Sequence, residues 1–114
     1  MDAQTLEAIA DLICGDIDGT PVYRKGHEIS RFFGAAGVPR NHDGSTRKWW
    51  TLETLKACNG KELTAIVLRL ASPKEYRGDP DSTTKAVSFL NRLLVLEGKK
   101  IVLDGIEPKL VEAK

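Results

Sequence analysis

The stretch Ser72–Val111, SPKEYRGDPDSTTKAVSFLNRLLVLEGKKIVLDGIEPKLV, decides how this chain folds. From Ser82 to Glu97, the residues Ala86, Val87, Phe89, Leu90, Leu93, Leu94 and Leu96 cover a wide arc of a helix, and Gly98 ends it. So wide an arc predicts the most buried helix of the domain. Ile101-Val102-Leu103, then Asp104-Gly105, then Ile106 to Val111 read as a hairpin over about residues 99–111. Asp-Gly suits the left-handed dihedrals of a type I′ turn. Pro108 has no N–H for a ladder, which predicts an edge strand. Before the long helix, Ser72-Pro73-Lys74-Glu75 is a capping box with proline at the first helical position. It starts a short turn containing Tyr76. Arg77-Gly78-Asp79-Pro80-Asp81 is a loop in which Asp79 or Asp81 caps the helix.

Working outward, Leu63, Ile66, Val67 and Leu70 repeat at helical spacing and predict a helix over about 61–71. Asn59-Gly60 joins it to a helix over about 51–58, with Thr51 as cap and Leu52 and Leu55 inward. Ile29, Phe32 and Phe33 mark a helix over 27–36. Leu6, Ile9, Ala10, Leu12 and Ile13 mark another over 2–14, stopped by Gly15. The pattern predicts one α+β domain spanning 1–114. It is mainly helical, with a C-terminal β-hairpin, and winged-helix-like in outline.

With 114 residues the chain builds one modest core, and 41% hydrophobic with 29% charged residues is an ordinary globular composition. A formal net charge of +1 gives no long-range pull on a polyanion, so any such partner must be met by local clustering. Cys14 and Cys58 do not make a disulfide framework and read as free thiols in a reducing compartment. The N-terminus carries acids before any base, unlike a signal peptide. No apolar run approaches ~18 residues, so no membrane span is expected. The expected location is cytoplasmic.

Asp16-Ile17-Asp18-Gly19-Thr20 opens like an EF-hand, but its glycine comes two places early and His27 stands where the bidentate Glu belongs. The same five residues share their wording with haloacid-dehalogenase-like phosphatases. That chemistry needs Asp16 as nucleophile at the end of a buried strand and Asp18 as acid/base. The residues before Asp16 look helical, so an Asp- and Gly-rich turn is the expected structure. Cys14, Cys58, His27 and His42 lack ligand spacing for zinc. No catalytic residue, metal site or cofactor is expected.

The sharpest local feature is basic and aromatic. Arg24, Lys25, His27, Arg31, Arg40, His42, Arg47, Lys48, Trp49 and Trp50 share one stretch with only Glu28 and Asp43 as acids. Phosphate backbones attract Lys and Arg, and exposed aromatics stack on bases. Arg40, His42, Arg47, Lys48 and Trp49 are therefore the candidate binding residues of an Arg40–Trp50 loop, with one tryptophan facing the core and its neighbour facing out. Lys99 and Lys100 join them on the hairpin, where a winged helix would place its wing. Against direct readout, the link between the 61–71 and 82–97 helices far exceeds the ~3–4 residues of a helix-turn-helix. Asp79 and Asp81 would also repel a phosphate backbone.

Several runs carry a family likeness: Gly26-His27-Glu28-Ile29-Ser30-Arg31-Phe32-Phe33 with Ala36-Gly37-Val38-Pro39; Arg47-Lys48-Trp49-Trp50-Thr51-Leu52; Leu68 to Asp79; Leu90-Asn91; Leu96-Glu97-Gly98; and Leu103-Asp104-Gly105. They resemble the small N-terminal domain of AbiJ-like bacterial abortive-infection proteins, over most of the chain from Gly15 onward. There the domain is typically joined to an effector or HEPN-type domain. The resemblance implies a non-catalytic interaction or sensing module of antiphage defence, coupled to an effector domain or partner protein. It supplies no catalytic residues. No effector follows the hairpin in this chain, so the resemblance implies a domain of a larger protein or a free-standing relative. The alternative is a winged-helix-like nucleic-acid-binding domain that contacts DNA or RNA through the Arg40–Trp50 loop and the hairpin lysines.

Overall fold

Five helices precede a two-stranded antiparallel sheet in a computed structural model that describes residues 1–113. They are α1 (Ala3–Cys14), α2 (Gly26–Ala35), α3 (Arg47–Ala57), α4 (Gly60–Leu70) and α5 (Pro80–Leu94), followed by β1 (Lys99–Asp104) and β2 (Glu107–Glu112). Single 3-10 turns occupy Pro73–Tyr76 and Val95–Glu97. The class is α+β, mainly helical with the hairpin last, as the sequence predicts.

The chain supplies its own caps. The Asp2 carboxylate accepts from the Thr5 N–H at 2.8 Å and starts α1. Asn59 and Glu62 exchange bonds with each other's backbone N–H groups and start α4. Asp79 accepts from the Asp81 N–H and the Ser82 hydroxyl, with Pro80 at the first helical position. That cap starts α5 at Pro80, two residues earlier than the sequence suggests. The helix also ends earlier, at Leu94: Val95 and Leu96 belong to the 3-10 turn and are exposed, so the apolar arc stops short of them. The larger correction concerns α3. It begins at Arg47, with Thr46 before it, and Thr51 lies fully buried inside the helix instead of capping it. The side of Trp50 packs edge-on against Phe33, ring centres 5.6 Å apart, and this contact carries the helix one turn further back. The expected Arg40–Trp50 loop is therefore a loop only to Thr46.

The core joins all five helices. Ile9, Leu12 and Ile13 of α1 meet Ile29, Phe32 and Phe33 of α2, Leu55 of α3, Ile66 and Leu70 of α4, and Leu90 and Leu94 of α5. Each such side chain stabilises the fold by roughly 1.5–3 kcal/mol through burial. α1 packs along α3, and α5 touches α1, α4 and β1. The return of the chain after α1 is tight: a Cβ on Gly15, at φ 77°, would lie 1.9 Å from the Val22 carbonyl oxygen. Only glycine fits there.

β1 and β2 pair with Ile101 opposite Leu110 and Leu103 opposite Pro108. The Asn91 side chain of α5 takes both outward backbone groups of Ile101, accepting from its N–H at 2.7 Å and donating to its carbonyl at 3.3 Å. Ile101 and Leu110 are therefore a pair without mutual hydrogen bonds. Two residues on, Leu103 and Pro108 fall in the same class, so the missing N–H of Pro108 costs no ladder bond. The outer edges of both strands are thus interrupted, by Asn91 on one and Pro108 on the other. The two turn residues are Gly105 and Ile106, with positive φ only at Gly105. That is a type II′ pattern, where the sequence suggests Asp104-Gly105 in type I′.

Candidate functional site

The residues that the sequence nominates divide between self-paired and open. Arg47 is the most engaged. Its Nε donates to the Arg24 carbonyl at 2.8 Å, its Nη2 to the Cys14 carbonyl at 2.6 Å, and its Nη1 to both Asp16 oxygens at 3.0 and 3.1 Å. It closes the C-terminal end of α1, where a helix leaves carbonyls without partners. Lys48 sits between Glu7 at 3.1 Å and Asp11 at 3.2 Å, and these bonds, Glu7 first, raise its pKa above the ordinary value. Arg40 donates to Glu62 at 3.3 Å, and Lys99 to Glu112 at 2.9 Å. His42 accepts the Gly44 N–H on Nδ1, which assigns the hydrogen of the neutral ring to Nε2. Its ring meets Trp50 edge-to-face at 5.1 Å, and Nε2 is buried without a hydrogen-bond partner among the described residues. Trp49 is 61% exposed while Trp50 packs inward. Lys100 is exposed on the outer face of the hairpin. The structure brings Arg47, His42 and the tryptophans to one end of α3, leaves Arg40 against α4, and keeps Lys99 and Lys100 on the sheet.

Asp16 follows the end of α1, not a strand, and its carboxylate is held by Arg47. The strand-end geometry of the phosphatase wording is absent at this position. Burial pushes both thiols, Cys14 and Cys58, above the ordinary cysteine range. At neutral pH they are protonated and poor nucleophiles.

A hollow of about 440 Å³ lies elsewhere, between α2, the segment 22–24 and the Pro73–Tyr76 turn. Five cations line it, Arg24, Arg31, Arg69, Lys74 and Arg77, against two acids, Glu28 and Glu75. Its floor is a fixed network. The buried Arg24 guanidinium lies over the Phe32 ring at 5.0 Å. It donates to the Ile13 carbonyl at 3.0 Å and to Glu75 at 2.9 Å. Arg69 takes the other Glu75 oxygen at 2.8 Å. Below, the Tyr76 hydroxyl donates to the Leu70 carbonyl at 2.6 Å, and burial raises its pKa. Glu75 is therefore spent on two arginines. Glu28 accepts from the Lys25 N–H at 2.9 Å, and that bond holds its carboxyl below the usual range, so it stays charged.

Arg31, Lys74 and Arg77 remain. All three are exposed, and none lies within ion-pair distance of a carboxylate among the described residues. Arg77 sits at φ 52°, the one non-glycine residue with positive φ among those described. Tyr23, 55% exposed, forms part of the wall, with the Arg47 guanidinium 4.2 Å from its ring centre. A smaller hollow of about 240 Å³ shares Ala35, Arg69 and Lys74 and continues to Glu107 and Pro108 of β2.

Sequence reading found Arg24 and Arg31 within the basic stretch and did not single out Tyr23, Arg69, Lys74 and Arg77, which line the same hollow. The last three are separated in sequence and interleaved with Glu75 and Asp79, so no run of charge marks them. The Arg77-Gly78 pair after a capped single turn is the one local signal. No helix among the described residues is long and apolar enough to cross a membrane. No protein-family model, curated protein or solved structure matches this chain.

Proposed function

We propose that this chain is a non-catalytic recognition module that takes an anionic ligand in the hollow between α2 and the Pro73–Tyr76 turn. The carrying observation is that Arg31, Lys74 and Arg77 line one concavity while its acids are already engaged. Uncompensated charge on a preformed concave surface favours a negative partner. The protonated thiols and the Arg47-bound Asp16 support a binding role over a nucleophilic one. The AbiJ-like resemblance supplies the setting: a sensing domain of antiphage defence whose occupancy is passed to an effector domain or partner protein. The smaller adjoining hollow, which shares Ala35, Arg69 and Lys74 and reaches Glu107 and Pro108 of β2, is the route by which occupancy would reach the hairpin.

A second reading rests on Trp49 and Lys100, which stay exposed: nucleic acid bound across the start of α3 and the hairpin. One titration separates the two. Tripolyphosphate is added at two salt concentrations and amide shifts are followed by NMR. Salt-sensitive shifts at Arg31, Lys74 and Arg77 are expected. Shifts confined to Trp49 and the hairpin would favour the second reading, and no salt-sensitive shift anywhere would sink both.

A further inference from the structure

We infer that the hollow is a site for a mononucleotide, with the phosphate on Arg31, Lys74 and Arg77 and the base stacked on Tyr23. This rests on the anion-binding reading above and narrows it to one ligand class.

Size decides first. About 440 Å³ falls within the ~300–1,000 Å³ of small-ligand sites. Even a single small module meets a double helix over roughly 600–1,000 Å² of protein surface, far more than one hollow offers. The chemistry of the wall decides next. A terminal phosphate carries between one and two negative charges at neutral pH and offers three acceptor oxygens. Three cations with no carboxylate partners match it. Tyr23 adds a flat apolar surface on the same wall, and more than half of that residue is open to solvent. Its ring is backed by Arg47, which is itself held by four hydrogen bonds, so the platform is fixed before a base arrives. A simple inorganic anion would have no use for that surface.

Arg77 gives an independent pointer. Its backbone occupies the left-handed region, where glycine or asparagine is far cheaper than a long side chain. Such outliers concentrate where a side chain must be aimed. The turn that carries Lys74 and Arg77 is locked from below by Glu75, held by Arg24 and Arg69. Ligand-facing groups are thereby mounted on a rigid segment.

The test is calorimetric titration of the full chain with AMP, ribose 5-phosphate, adenosine and inorganic phosphate at low salt. AMP is expected to bind tightest and adenosine weakest. Arg31→Ala and Arg77→Asn should each weaken AMP about tenfold, the scale of one charge-assisted contact, without lowering the melting temperature. Tyr23→Leu should weaken AMP about tenfold and leave ribose 5-phosphate unchanged. AMP binding no tighter than adenosine, or unaffected by Arg77→Asn, overturns the inference. If tripolyphosphate shifts the hollow while AMP fails to bind, the ligand class falls and the anion site stands. If neither binds, both fall.

Discussion

Two parts of this molecule carry dense positive charge, and only one of them offers it. The segment from Arg40 to Trp50 looks basic along the chain, yet Arg40, Arg47 and Lys48 are met by Glu62, Asp16, Glu7 and Asp11. Those acids lie 22 to 41 residues away in sequence. The hollow beside α2 looks balanced along the chain, with Glu28, Glu75 and Asp79 close to its cations. Each of these acids has another task. Glu28 caps α2, Glu75 binds Arg24 and Arg69, and Asp79 starts α5. Local charge density along a chain therefore says little about surface charge until every acid has been assigned its partner.

That contrast can be broken, and the largest blow should fall on its floor. Arg24→Met leaves Glu75 short of one partner in a nearly buried site and should cost about 3–5 kcal/mol in denaturant unfolding. Next, Arg47→Ala removes bonds to two backbone carbonyls and to Asp16, and should cost about 2–3 kcal/mol in the same experiment. If Arg47 were a ligand-binding residue and not a structural one, stability would hold and only anion affinity would drop. Arg77→Asn should act oppositely: relief of the left-handed strain raises stability by about 1 kcal/mol while AMP affinity falls. Lys48→Ala should cost only about 0.2–1 kcal/mol, because its ion pairs lie at the surface, Glu7 open to solvent and Asp11 half-buried.

The smallest effect is on pH dependence. Backbone N–H groups hold the Glu28 and Glu62 carboxyls below their ordinary value of 4.5. Their contribution is complete above that value and is lost as pH falls below it through the folded-state pKa. Burial raises the Cys14 thiol above 9.0. Its contribution is complete below 9.0 and is lost as pH rises beyond it, because the unfolded thiol ionises first. Melting temperature should therefore decline on both sides of a plateau. Glu28→Gln keeps an acceptor for the Lys25 N–H and removes a negative charge from the rim of the hollow. It should shrink the acid-side decline and tighten anion binding; unchanged anion affinity would place Glu28 outside the field of the site.

The legible parts of the fold were those written in short-range chemistry. Asp79 announces a helix start, Gly15 and Gly98 announce stops, and the Leu63–Leu70 spacing sets a face, while the caps on Asp2 and Asn59 emerge only in the structure. The start of α3 was misread because Thr51 before Leu52 imitates a cap; its true position depends on Trp50 meeting Phe33, a contact across 17 residues. The hairpin was legible as a hairpin, while its II′ turn followed from the pairing register. Of the candidate site, only Arg24 and Arg31 stood out. Lys74 and Arg77 were read as parts of a turn and a loop, and that they line one hollow with Arg31 stayed hidden.

By itself, then, the sequence determined five helices, a terminal hairpin and which faces turn inward, because caps, turn residues and apolar spacing act over four residues or fewer. Tertiary structure alone decided which cations remain unpaired. The pairs that neutralise the segment from Arg40 to Lys48 join residues remote in the chain, and their acids are brought there from α1, the turn after it and α4.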